Sequence, residues 1–564
     1  MAMAALGLLI DRMEAERRWE HNENVFSYFL QELLEQKGIP YSLVESVEEN
    51  LEDYDLLICG LAENSEDACF KLAAYAGNGG SLINFSDSEK LAALFQCKVE
   101  NACKGYAFLP DFFEQPVPLR YLRGNIWRRE EPSAMAEGEL KAEKPDGELK
   151  GSVLEKLPFG RGTLWHWNVD IPSTIVLLQQ GLKPVTEDGI PAPDGTADID
   201  EGLLKADDGF ALDWETDRFL TPSGMPYFAH PYADYWREAL YRNLFHAAAD
   251  KGLSLPFVSQ WPDGTSHVAI ISHDSDGNSD EAALETAAVL KAAGVKTTWC
   301  MLEPGYSGQI YSLLKKEGHE IAFHYNALEA EQGVWGREAF RTQLYWLKKA
   351  AGILRAVSNK NHYTLFEGWS SLYSWCDETG IELDQSRGPS KKGNIGFLFG
   401  TCFPYRPIDW HTGQNRLFHV LELGFLTQDL NHHALADTTV IAPFLKTVRH
   451  LGGAAHFLFH QNHIYEQPAV KEAIKEVIQK AKEEGFEFWT SEKINSWERK
   501  KRSISIHAVT HDFQPLAENT EEAGGAVIYT PLPYGCADKG LALEKKYGLP
   551  CIRTVLMENK AQSI

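Results

Sequence analysis

HVAIISHDSDG, residues 267–277, runs an apolar strand straight into a histidine and two carboxylates that end at a glycine. Successive strand residues point to opposite faces, so Asp274 and Asp276 are sent the same way, at the carboxyl end where α/β proteins build their sites. Two carboxylates side by side either raise one another's pKa or share a cation, and a bound metal ion lowers the pKa of a water it holds. The same residues also fit an acidic loop capping the next helix, EAALETAAVLKAAG, because Asp and Ser are good N-cap residues.

Working outward, strand and helix signals alternate from 267 to about 498. VKTTWCML (295–302) is followed by the helix GQIYSLLKKEG and the strand HEIAFHYN, which ends near His324. The helix REAFRTQLYWLKKAAGI then leads to AVSNKNHYT, which presents Lys360, His362 and Tyr363. EGWSSLYSWCDETG precedes IELDQS, which offers Asp384, and after an irregular stretch HFLFHQNHIY brings His456, His460 and His463 ahead of the helix PAVKEAIKEVIQKAKEEG. This alternation predicts an α/β fold in which residues 264–502 form a parallel (β/α) barrel with helices outside.

These motifs, in this order, resemble the polysaccharide deacetylase domain (NodB homology, carbohydrate esterase family 4), a distorted barrel whose members hydrolyse N-acetyl or O-acetyl groups with a divalent metal. SHDSDG stands for the family's T-F-D-D-G motif, GHEIAFH for G-H-E-I-x-x-H, and HFLFH for the late strand carrying a histidine. The chain is most similar to a branch with an H-D-x-D first motif, followed here by KNHY (360–363), LDQS (383–386) and GTCFPY (400–405). The resemblance implies Asp274 as general base, Asp276 and His324 as metal ligands, and His460 as general acid, with His463 as the other candidate acid. The family's second histidine, four residues after the first, is Leu328 here, so either the site lacks that ligand or another strand supplies it, with His362 the candidate. His273, Lys360, Asp384 and His463 are expected around these groups or against substrate, with Asp384 orienting a histidine or Lys360. A ligand set of Asp and His without Cys suits Zn²⁺, Co²⁺, Ni²⁺ or Mn²⁺.

At 564 residues the chain is too long for one core. Its net charge of −26, from 54 Lys and Arg against 80 Asp and Glu, disfavours nucleic acid and anionic membranes as partners. The run of about 20 apolar residues that a membrane span needs is missing. The opening MAMAALGLLIDR reads as a first strand rather than a signal peptide, and the nine dispersed cysteines as thiols of a reducing compartment, so a cytoplasmic setting is expected.

Residues 1–255 alternate strands (ALGLLID, YSLVES, YDLLICG, GSLINFS) with helices (ENVFSYFLQELLEQKGI, SEDACFKLAAYAGNGG), the pattern of a doubly wound layer. YDLLICGLAEN and AYAGNGGSLINF resemble the class I glutamine amidotransferase-like fold. The G-x-C-x-G elbow of its nucleophile is lacking, which implies an accessory role in packing, dimerisation or substrate placement. Residues 128–160, rich in Glu, Lys, Gly and Pro, are predicted as a solvated hairpin or flexible insertion. Trp165, His166 and Trp167 are either core or a surface for stacking a sugar. The segment 205–250 is expected to dock the two parts, and 503–564 to form a small β appendage that cannot bury a core alone.

Three functional classes fit these features. One is a metal-dependent deacetylase acting on a carbohydrate or another acylated small molecule. Another is a silent glycan-binding or scaffolding protein on the same fold. The third, a glycosidase, needs a second carboxylate across a sugar bond, and the sequence shows no second acid with a comparable motif.

Overall fold

A computed structural model describes residues 3–100, 103–109, 117–129, 135–432, 435–536 and 542–557. The N-terminal sheet has seven strands. Its parallel part runs Ser42–Val44, Leu6–Ile10, Leu56–Leu61, Ser81–Asn84, Gly162–Trp167, and Leu154–Phe159 and Ala136–Glu137 add on antiparallel. Leu8, Leu9, Leu57, Ile58, Leu82 and Ile83 are all buried, because helices cover both faces of a doubly wound sheet. Cys59 lies on the third strand, and burial pushes its thiol up to about 12, which makes it a poor nucleophile.

The stretch expected as a solvated insertion is ordered where it is described. Glu139–Ala142 pairs with Leu149–Gly151 and with Cys103–Phe108, and Leu140 is fully buried. Leu140 is the buried anchor of an otherwise exposed or half-buried, largely charged hairpin. Trp165, His166 and Trp167 are buried too, and the His166 ring stacks on Trp127 with centroids 3.9 Å apart.

The helix Tyr232–Asp250 ties the two large parts together. Its Asp234 accepts hydrogen bonds from Thr401 Oγ1 (2.7 Å) and the Cys402 amide (2.8 Å), while Trp236 Nε1 donates to Arg120 O (2.7 Å). A buried ion cluster adds a second tie. Glu32 receives Arg406 Nε at 2.7 Å and both terminal nitrogens of Arg502 at 2.8 Å.

The second large sheet is parallel throughout. In order its strands are Leu421–Glu422, Leu383–Asp384, Ser358–Asn361, Glu320–Tyr325, Thr298–Met301, Val268–Asp274, Ala454–His460 and Thr427–Gln428, and Glu487–Phe488 adds beside the start of Val268–Asp274. Strands three places apart in a flat sheet would stand roughly 14 Å from each other. Lys360 Nζ nevertheless donates to Ser272 Oγ at 2.6 Å across that interval, so the sheet curls into a half-barrel. Its two end strands, Leu421–Glu422 and Thr427–Gln428, are consecutive in the chain and do not pair. At this seam a Cβ on Gly424 would stand 1.8 Å from Arg387 O, so only glycine fits.

The C-terminal strands Val527–Pro531, Leu549–Val555 and Leu543–Lys546 form a sheet with Phe257–Val258. Ile506 and Ile528 join Trp261, Val268, Trp489 and Ile494 in one apolar cluster under the barrel.

Candidate active site

The first barrel strand, Val268–Asp274, is buried along its whole length. Ser272 and Asp274, on the same face as Val268 and Ile270, are its interior-facing polar residues, and the chain continues to Asp276 in the loop beyond. The helix that follows, Asp280–Ala293, is capped by Ser279, whose side chain accepts from the Ala282 amide at 3.2 Å. Capping is therefore the work of Ser279, and both aspartates are left to the barrel mouth.

Parallel register decides which side chains meet there. Asp274 pairs with His460, and His324 pairs with Lys360, so these four lie on the interior face of their strands. Asp276 Oδ1 stands 3.4 Å from His324 Nε2 and 3.4 Å from His362 Nδ1. Asp276 Oδ2 is 3.4 Å from His460 Nε2, and Asp274 Oδ2 is 3.7 Å from His324 Nε2 and 4.0 Å from His460 Nε2. Lys360, with its side chain fully buried, sets its ammonium 3.2 Å from Asp274 Oδ1.

Each imidazole is oriented by what lies behind it. His324 Nδ1 donates to Lys360 O at 2.9 Å, which turns Nε2 toward the aspartates. His362 Nε2 lies 3.1 Å from Glu331 Oε2, which turns Nδ1 inward. The chain passes through His362 into a tight turn where Tyr363 (φ 56°) and Thr364 (φ 55°) are left-handed, a conformation that costs non-glycine residues and gathers at functional sites. His460 Nδ1 is bonded to Asp429 Oδ2, and the same oxygen meets His463 Nδ1 at 2.9 Å. The His460 amide donates to Asp429 Oδ1 at 2.8 Å, which fixes the carboxylate in place.

The electrostatics follow from these contacts. Burial works against the charged form of His460, but the Asp429 and Asp276 carboxylates outweigh it and push the imidazole up to about 10. Asp429 is driven down in turn by the His460 and His463 rings. Asp276 is held well below the usual carboxylate range by His460, His324 and His362, despite the burial penalty. His362 is raised above its ordinary value by Asp276 and Glu331, again against burial.

Besides Asp274 Oδ1, which makes no hydrogen bond but has the Lys360 ammonium 3.2 Å away, three atoms in this cluster are buried without a hydrogen-bond partner among the described residues: Asp276 Oδ1, His324 Nε2 and His362 Nδ1. Such atoms are costly unless something pairs them. They lie within 4.8 Å of one another, as the donors of one metal ion must. Asp429, His460 and His463 make a second grouping of the same kind, but there the nitrogens are already bonded to the carboxylate.

The structure places two expected residues outside the cluster. Strand alternation turns His273 to the other face, where Nδ1 lies 3.2 Å from Phe459 O, its ring packs near Trp299, and burial lowers its pKa to about 3. Asp384 pairs in register with Asn359, on the pleat face opposite Lys360. It accepts from Asn359 Nδ2 (2.7 Å) and Ser386 Oγ (3.0 Å) rather than orienting a histidine or Lys360, and burial raises its pKa. Ser386 Oγ in turn takes the Asn361 amide at 2.9 Å, so Asp384 braces the backbone just before His362. His463 shares Asp429 with His460 and is held on that carboxylate.

Asp429, Glu331 and Ser272 are absent from the sequence reading, and His456 enters it only as one histidine of the late strand, with no role. Asp429 ends the strand segment FLTQD, the same apolar-strand-then-carboxylate signal as residues 267–277, inside a stretch read as irregular. His456 Nε2 is 2.8 Å from Ser272 Oγ on the barrel floor, and burial together with Lys360 drives this ring well below its ordinary pKa.

No protein-family model matches the chain, and no curated protein does. Among solved structures it is similar to a polysaccharide deacetylase from Mycobacterium smegmatis, at 17% identity and a TM-score of 0.31 over 42% of this chain and 92% of that one. It is also similar to a polysaccharide deacetylase involved in O-antigen biosynthesis from Bordetella bronchiseptica (17%, 0.25, 38% and 81%). A family 4 acetyl xylan esterase from Clostridium thermocellum in complex with a cobalt ion matches at 16% and 0.23, over 40% and 89%. β-Galactosidase structures match as well, at TM-scores of 0.23 and 0.21. Likeness at this level selects no reaction.

Proposed function

We propose that this chain is a metal-dependent hydrolase that removes acyl groups, N-acetyl foremost, from a carbohydrate. The observation that carries the reading is the convergence of Asp276 Oδ1, His324 Nε2 and His362 Nδ1, buried and unpartnered, beside an Asp–Lys pair and an Asp-bound histidine. Those three side chains would hold a divalent ion, with Zn²⁺, Co²⁺, Ni²⁺ and Mn²⁺ all compatible with the donor set. When bound, such an ion polarises an acyl oxygen and acidifies water.

The chain's own residues supply the proton steps. Asp274 Oδ2 faces the cluster while Lys360 balances its charge at Oδ1, so Oδ2 is free to take a proton from an attacking water. His460, charged and held through Nδ1 by Asp429, presents Nε2–H to the same space and can protonate the departing nitrogen or oxygen. His463 sits on the same carboxylate and serves as a second brace. Ser272 and His456 close the barrel floor beneath Lys360, keeping the pair dry.

Metal analysis tests this directly. The purified protein is expected to hold about one divalent ion per chain and Asp276→Ala much less, with acetate release from N-acetylated oligosaccharides lost in parallel. Equal metal content in both proteins would remove the mechanism. A silent glycan-binding protein would instead bind sugar and release no acetate.

A further inference from the structure

Where the N-terminal sheet, the barrel and the C-terminal hairpin meet, a cleft of about 2010 Å³, counting its open mouth, lies apart from the Asp274–His460 cluster and shares no residue with it. Its lining is out of character for a chain of net charge −26: six cationic side chains, among them Lys37, Arg237, Arg449, Lys545 and Lys546, against the single carboxylate of Glu238 among the described residues that line it. Arg449 and Lys546 are ion-paired with Glu484 and Glu544 outside the lining, and Arg237 with Asp234 and Glu238, whereas Lys37 and Lys545 have no carboxylate within ion-pair distance among the described residues.

Lys37 is the decisive group. Its ammonium sits in a cage of three rings, 4.9 Å from the centroid of Phe257, 5.2 Å from Tyr547 and 5.6 Å from Tyr241, and has neither a hydrogen bond nor an ion pair among the described residues. An ammonium with aromatic faces around it, and the Glu238 carboxylate beyond ion-pair distance, is an incomplete arrangement. It is also rigidly placed. Gly38, which follows it, is left-handed (φ +62°), and a Cβ there would stand 2.5 Å from Val258 Cγ2, so the helix end is pressed onto the neighbouring strand. Burial lowers the Lys37 pKa to about 8, and Arg237, Lys501 and Lys546 add to the fall against the pull of Glu238.

We propose that this cleft binds a phosphorylated small molecule, its phosphate groups received by Lys37 at the base and by Lys545 and Arg449 at the rim, its body lying against the aromatic wall of Tyr529, Tyr547 and Trp261. Cations at the base and at the rim suit a ligand with more than one negative charge, and ammonium and guanidinium groups are the usual phosphate receivers. The opening has room for a nucleotide-sized body, whereas the acidic surface around it would repel a polymer of phosphates.

Calorimetric titration of the full chain with ATP and with inorganic pyrophosphate, in about 0.15 M salt, tests the assignment. Saturable binding of at least one probe is expected, weakened about tenfold or more by Lys37→Met and by a smaller factor by the exposed Lys545→Ala, and unchanged in Asp276→Ala. Binding of both probes would place recognition in the phosphates, and binding of ATP alone would show that the aromatic wall contributes. Lack of heat with either probe at about 1 mM, or wild-type affinity in both lysine variants, would overturn the proposal. Loss of binding in Asp276→Ala would also overturn it, by moving the probe to the metal cluster. Should Lys37→Met fail to fold, Lys545→Ala, which alters only an exposed strand, decides the matter.

Discussion

Glu331 offers a sharp test of how the candidate metal cluster is built. Its carboxylate lies 3.1 Å from His362 Nε2, behind the ring whose Nδ1 faces Asp276. A carboxylate in that position fixes the tautomer of a ligating histidine and raises its basicity, and losing one typically costs 10- to 100-fold in metal affinity, or about 1.4–2.7 kcal/mol. The Glu331 side chain is 46% exposed, so solvent screens part of its charge. Glu331→Gln keeps an oxygen that can accept from Nε2–H and removes only the charge, which places the expected loss at about tenfold. Glu331→Ala removes the acceptor as well and should approach about 100-fold. His324 provides the internal contrast, because its orienting partner is the backbone carbonyl of Lys360 and is untouched by either change. Competition against a chromogenic chelator reads these constants. Affinities within about twofold of wild type in both variants, alongside metal loss in Asp276→Ala, would show that His362 is not a ligand.

Two further outcomes are expected. Asp429→Asn should lower turnover by about 10²–10⁴ while leaving bound metal in place, because Asp429 acts through His460 Nδ1; if the metal leaves with it, the Asp429, His460 and His463 grouping holds the ion instead. Glu32 is buried between Arg406 and Arg502, and those cations, against burial, bring its folded pKa down to about 2 from an ordinary 4.5. A depressed carboxyl stabilises fully above its unfolded pKa and loses that contribution as pH falls through the window from about 4.5 to 2, an effect of at most about 3 kcal/mol. Thermal melts of wild type and Glu32→Gln should therefore differ most near neutrality and converge towards acid, and a constant gap from neutral to acid would contradict the ion-cluster account.

Much of this site was legible before any coordinates. Strand periodicity and the position of polar residues at strand ends were sufficient to pick out Asp274, Asp276, His324, Lys360, His362 and His460, because alternation and carboxyl-end placement are local properties of the chain. His273 and Asp384 fell outside for an equally physical reason: a residue one step along a strand faces the other side, and which side is the interior depends on the curl and register of the sheet. Glu331 was hidden in a loop, where a lone carboxylate has no periodicity to mark it, and Asp429 follows a strand of only two residues, Thr427–Gln428, too short to show alternation. The alternation of strands and helices in the N-terminal part was read from the sequence, though not the order of its strands, and the ordering of the charged hairpin through Leu140 was missed, since one buried leucine is invisible in a run of lysines and glutamates.

The amino-acid order alone, then, determined the alternation of strands and helices and which polar residues stand at strand ends, for these depend on neighbours within a few residues, while the roles of acid, base and ligand were implied by the family resemblance. Only the tertiary structure decided which ring nitrogen of each histidine faces inward, that Lys360 crosses the barrel to Asp274, and that Lys37 stands in a cleft with neither a hydrogen bond nor an ion pair among the described residues. Those outcomes depend on groups tens to hundreds of residues apart being brought within a few ångströms, and no local pattern carries that information.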